Sequence, residues 1–147
     1  MDDRDVMEAS GGARLALLGA SFQRLTGRQL TPDGDLWGAQ AAILAHGTED
    51  PPRFFYGNAR TLALFRMRAE DFLGRPSHTS AEPAHRDERA RMFARLEADD
   101  VVTDYAGVRV AADGTRFRIE HAVIWNLVDE AGVRHGQAAW FARWQLL

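Results

Sequence analysis

The chain has 147 residues, a hydrophobic fraction of 46% and an aromatic fraction of 10%, the profile of a single globular domain with enough chain to bury a core. Its 18 basic residues, all arginine, are outnumbered by 21 acidic ones, and the net charge of −3 argues against a nucleic-acid surface. The absence of cysteine excludes disulfides, thiolate metal sites and cysteine nucleophiles, while no apolar run is long enough to span a membrane and the acidic start MDDRDVMEAS does not resemble a signal peptide. These features read as a soluble, cytoplasmic protein.

Residues 1–10 are polar and are expected to fray. From Gly12 to Thr26 the pattern turns helical, with Leu15, Leu18, Phe22 and Leu25 forming one stripe and Gly27 as a stop. The stretch TPDGD (31–35) is turn material, after which an apolar strand is expected near Ala41–His46. The loop GTEDPP follows, then a short strand at 54–56. Asn58 is placed to cap a helix over ARTLALFRM. AEDFLG makes a second short turn ending at Gly74, and RPSHTSAEP (75–83) is irregular or a single helical turn. The spacing predicts a helix over 84–100, with Met92, Phe93 and Leu96 on its apolar face and Arg86, Glu88, Arg89, Arg91 and Arg95 on its wet one.

Beyond that helix the hydrophobic period changes from about 3.6 to 2. Strands are expected over 105–110, 116–127 and 135–144, with Asp113-Gly114 as a hairpin turn. Two strands, then helices, then a three-stranded meander define an α+β fold: a five-stranded antiparallel sheet with helices on one face. Residues 1–30 form an N-terminal tail and amphipathic helix, and residues 31–147 the domain itself.

In the strand RFRIEHAVIWNL, strict alternation puts Phe117, Ile119, His121, Val123 and Trp125 on one face and Arg116, Arg118 and Glu120 on the other. His121 is then expected beneath the helices, either bonded within the core or reading a ligand, since a buried unpaired imidazole costs about 1–3 kcal/mol.

The ordered blocks YGN (56–58), PSxxSAEP (76–83), YxGVR (105–109), GxRFxIxxAxxWN (114–126) and HGQAAxF (135–141) carry a resemblance. The element order looks like a PAS fold, and the blocks resemble the MEKHLA domain. This PAS-related family is found at the C-terminus of one class of plant homeodomain–leucine zipper transcription factors and as small stand-alone bacterial proteins, the type this chain is similar to. The likeness runs from near Phe22 almost to the end. His78-Thr79 and His121 depart from the family's usual residues. The resemblance implies a sensing or interaction role without naming a ligand or cofactor.

A PAS-like pocket between sheet and helices would be rimmed by Tyr56, Asn58, Ser77, Ser80, Tyr105, Arg109, Phe117, His121, Trp125 and Gln137. Each has a simpler reading. Asn58 caps a helix, Ser80 caps a turn, Arg109 pairs with Glu82 or Asp87, and the tyrosines fill core. In flavin-binding PAS relatives a glutamine on the final strand meets the ring, as Gln137 would. The photoadduct cysteine of those relatives is absent. His85 is better read as a solvated helix start than as a haem ligand. The histidines at 46, 78, 85, 121 and 135 form no HxH or HxxxH pair, which leaves metal binding without a motif.

Three functions remain. The first is a non-enzymatic sensor holding a small, partly aromatic or carboxylated molecule, anchored by Arg109, read by His121 and Gln137, and walled by Phe117 and Trp125. The second is a homodimeric interaction module with a filled core, docking through the Leu15/Leu18/Phe22/Leu25 stripe and the outer face of the sheet. The third is a small-molecule enzyme in the same cavity. No GxSxG, Walker or HExxH motif supports the third.

Overall fold

The computed structural model describes residues 1–81 and 86–147. One antiparallel sheet has the order β2-β1-β5-β4-β3, built from β1 (Ala42–His46), β2 (Phe54–Gly57), β3 (Val101–Val110), β4 (Arg116–Val128) and β5 (Arg134–Phe141). The last expected strand is broken at Ala142. Its end forms β6 (Arg143–Leu146), which pairs with Phe117–Glu120 of β4, whereas β5 pairs with Val123–Val128. Strand β3 begins at Val101, four residues earlier than its pattern announced, because bulges disturb the alternation there.

The inner face of the sheet carries α3 (Ala59–Phe65), α4 (Ala69–Phe72), a 3-10 turn (Ser77–Ser80) and α5 (Arg86–Asp99). The expected helix over 84–100 is therefore present as α5 in its described part. Asn58 sets the start of α3. Its Oδ1 accepts from the backbone N–H groups of Thr61 at 3.1 Å and Ile43 at 3.0 Å, and its Nδ2 donates to the carbonyls of Leu36 at 3.0 Å and Ala41 at 2.9 Å. One buried amide thus caps a helix and ties it to β1.

The outer face is covered by α1 (Asp3–Gly11) and α2 (Arg14–Thr26). The first ten residues do not fray: Asp2 caps α1 through Asp5 N–H at 2.8 Å, Met7 is fully buried, and Ser10 Oγ donates to the Phe55 carbonyl at 2.6 Å. Helix α2 lies on β4. Its Phe22 ring meets Trp125 edge-on at 4.9 Å between centroids, and Ser21 Oγ bonds both the N–H and the carbonyl of Val128 at 3.1 Å. Leu18 and Phe22, offered by the sequence as a docking stripe, are consumed by the chain's own sheet.

Candidate functional site

Residues paired across antiparallel strands share a face, so the register sorts the sheet. His46, Gln137 and Asn126 stand in one row across β1, β5 and β4, and Leu44, Ala139 and Ile124 in the next row of the same phase. Gly107 opposes Ile119, and Arg109 opposes Phe117, whose ring meets Phe65 of α3 at 5.3 Å. All of these face inward. Trp125 and Val123 belong to the opposite phase, and Trp125 meets Phe22 of α2.

The switch of phase happens at His121. Strand β3 carries an extra residue between Val102 and Tyr105, and β4 an extra residue between Ile119 and Ala122. The bulges lie almost opposite each other and compensate. Each uses a non-glycine residue in the left-handed region, Asp104 at φ 56° and His121 at φ 52°. The consequence corrects the alternation argument. Phe117 and Ile119 point inward, Trp125 points outward beneath α2, and His121 is 61% exposed with its Nδ1 3.3 Å from Asp104 Oδ1. The imidazole is not beneath the helices and does not line the inner cavity.

A cavity of about 60 Å³ remains between the inner face and α5. Its walls are largely apolar, from Leu44, Phe65, Met92, Ile119, Ile124 and Phe141, and five polar side chains reach it: His46, Ser80, Arg89, Arg109 and Gln137. Three of the ten residues picked from sequence, Ser80, Arg109 and Gln137, line it. Three more stand one contact away. Tyr105 receives an Arg109 Nη2 hydrogen bond at 3.4 Å, Ser77 Oγ accepts from Arg89 Nη2 at 2.9 Å, and Phe117 packs behind Phe65. The other four are elsewhere. Asn58 spends its amide on the backbone, His121 and Trp125 lie as described, and Tyr56 points outward to a separate groove with Arg4, Glu8 and Trp37, where burial raises its pKa.

His46 and Arg89 are the residues that sequence reading missed. His46 ends the apolar strand β1 and is opposite Gln137, so period-two alternation alone could have set it inside. Its ring Nδ1 lies 3.1 Å from the Gly47 carbonyl, and burial, aided by the charge of Arg89, pushes its pKa down to about 4. The ring is neutral at pH 7, donates from Nδ1, and keeps Nε2 as an acceptor. Arg89 had been assigned to the wet face of α5. Its spacing to Met92, Phe93 and Leu96 is that of one helical stripe, and the guanidinium stacks on Phe93 at 4.5 Å. Burial and then the charge of Arg109 lower its pKa to about 10.

Arg109 is 8% exposed and its Nη1 donates to the Val108 carbonyl at 2.9 Å. No Asp87 contact with Arg109 occurs among the described residues; Glu82, the other expected partner, and His85 lie outside them. Gly107 makes room for this arrangement. A Cβ there would stand 2.7 Å from the Tyr105 hydroxyl and 3.1 Å from Arg109 Nη1. Among the described residues no group of three or more metal-ligating side chains gathers, and no helix is long and apolar enough to cross a membrane.

A 2-1-5-4-3 antiparallel sheet with helices over an inner cavity defines the class of PAS-like folds. Solved structures share it. The PAS domain of a Colwellia psychrerythraea protein matches over 76% of this chain and 90% of its own, with 14% identity and a TM-score of 0.62. A fungal LOV-domain photoreceptor, described as revealing a conserved pathway that integrates blue light and oxidative stress, matches over 95% of this chain and 94% of its own, with 19% identity and a TM-score of 0.62. The light-state dimer of the fungal blue-light photoreceptor Vivid matches over 88% and 93%, with 13% identity and a TM-score of 0.66. Within that class the chain belongs to the MEKHLA domain family, whose model matches residues 13–146 and so takes in α2 as well as the sheet. No curated protein matches the chain.

Proposed function

We propose that this MEKHLA domain is a non-enzymatic sensor that binds a small molecule in the cavity between its sheet and α5 and passes the event on through protein contact. The observation that carries the reading is five convergent polar side chains, His46, Ser80, Arg89, Arg109 and Gln137, around a cavity that is otherwise apolar. A core filled only for stability has no use for two guanidinium groups and a deprotonated imidazole at its centre. Arg109 is the anchor, and Gln137 and His46 are the polar readers. Tyr105 and Ser77 position the two arginines.

Signalling as a cytoplasmic homodimer fits the reading, and the Vivid structure is described as a light-state dimer. The interface has to lie away from Leu18 and Phe22, which are already covered. Native mass spectrometry and absorption spectra of the purified protein, followed by a thermal-shift screen, test the proposal. A copurifying species, or a compound that raises Tm in the wild type but not in Gln137→Leu, is expected. A protein that arrives empty and is stabilised by no compound contradicts it.

A further inference from the structure

We infer that the cavity takes a short aliphatic carboxylate, of roughly two to four carbons, whose oxygens sit between the guanidinium groups of Arg89 and Arg109. This rests on the ligand-binding reading of the same cavity and adds the charge and size of what is bound.

The charge follows from the donors. Arg109 donates to one carbonyl and one hydroxyl, and Arg89 to one serine hydroxyl. All three acceptors are neutral, and each guanidinium has five N–H groups. Among the described residues no carboxylate reaches either group. Two like charges facing one low-dielectric cavity repel, and a carboxylate between them offsets that repulsion and gains short, charge-assisted hydrogen bonds. Gln137 supplies a further donor. The neutral His46, held between the Gly47 carbonyl and Gln137, adds no further positive charge to the site.

The size follows from the space. A cavity of roughly 150 Å³ holds a benzene ring, so about 60 Å³ does not take an aromatic ring. The apolar walls, Leu44, Phe65, Ile124 and Phe141 among them, suit a few methylenes.

The test uses the full chain with propionate, and propionamide as its neutral isostere, at matched ionic strength. Calorimetry and thermal shift are expected to give saturable propionate binding. Propionamide should bind at least ten-fold more weakly. Arg109→Gln and Arg89→Gln should each weaken propionate at least ten-fold, while Arg118→Gln, exposed on the outer face, should leave it unchanged. Equal binding of propionamide overturns the inference but leaves the cavity a ligand site. Propionate binding that appears only in Glu82→Gln also overturns it, because the chain's own carboxylate then serves the arginines. If neither probe binds, the carboxylate is rejected, and the thermal-shift screen with neutral compounds decides the ligand-binding reading separately.

Discussion

Asp104 and His121 face each other across the β3–β4 ladder with 3.3 Å between Oδ1 and Nδ1, each in the left-handed backbone region and each at the extra residue of its own bulge. The pair explains why a histidine occupies a position that alternation reserves for an aliphatic side chain. The backbone there turns the side chain out, and a short polar residue tolerates the turn better than a branched one. The contact is well exposed, so its contribution to stability is small. His121→Leu is expected to leave ligand binding unchanged and to cost about 1 kcal/mol through the strained backbone. Urea unfolding and a binding titration of the same variant check both statements. Loss of binding with intact folding would return the imidazole to the cavity.

His46 makes stability depend on pH. Its pKa in the fold is about 4 against an ordinary 6.5, so the unfolded chain takes up the proton first. Nothing is lost above about pH 6.5. As pH falls from there towards 4, stability drops by about 3 kcal/mol in all, and below 4 this contribution is constant. The groups acting on the ring are Arg89, which opposes protonation, and Glu49, the Gly47 carbonyl and Gln137, which favour it. Urea midpoints measured between pH 7 and pH 4.5 should converge for wild type and His46→Gln as pH falls. Parallel curves would show an imidazole that titrates normally.

Gly107 is a packing requirement of the arginine site. A methyl group there would stand too close to the Tyr105 hydroxyl and crowd the Arg109 guanidinium, so the Tyr105 side chain has to shift. Gly107→Ala should destabilise the domain by about 1–3 kcal/mol, and ligand affinity should fall with it. A crystal structure of the variant with the Tyr105–Arg109 contact unchanged would be the opposing result.

The outer helices belong to the core of the domain. Phe22→Ala removes the ring that covers Trp125 and should cost about 3–5 kcal/mol, with a red shift in tryptophan emission. A chain lacking residues 1–28 should expose Ile43, Trp125 and Trp140 and associate without specificity, rather than become a clean monomer. Light scattering that finds a stable monomer of unchanged Tm would contradict this.

Much of the architecture could be read from residue patterns. The period around Met92–Leu96 marked α5, that over 135–144 marked β5 without its break at Ala142, the Asn58 cap marked α3, and the ordered blocks marked the family. Two features were missed. The paired bulges at Asp104 and His121 reverse the strand's phase, and neither residue is the glycine that would have announced a left-handed turn. That single error moved His121 and Trp125 into a cavity they do not touch. The second feature is Arg89. Charge suggested solvent, whereas its position three and four residues before Met92 and Phe93 put it on the buried stripe. In this chain Asn58 caps a helix and Tyr56 packs on the outer face, roles that membership of a family block does not distinguish from ligand contact.

Methyl groups report on the cavity most directly. Leu44, Met92, Ile119 and Ile124 line it, while Leu18, Leu127 and Val133 lie outside its walls. A methyl-resolved NMR titration with any compound that raises Tm should shift the first group in a saturable way and leave the second nearly still. Shifts confined to the second group, or to residues around Tyr56 and Trp37, would place the ligand elsewhere and remove the cavity from the account.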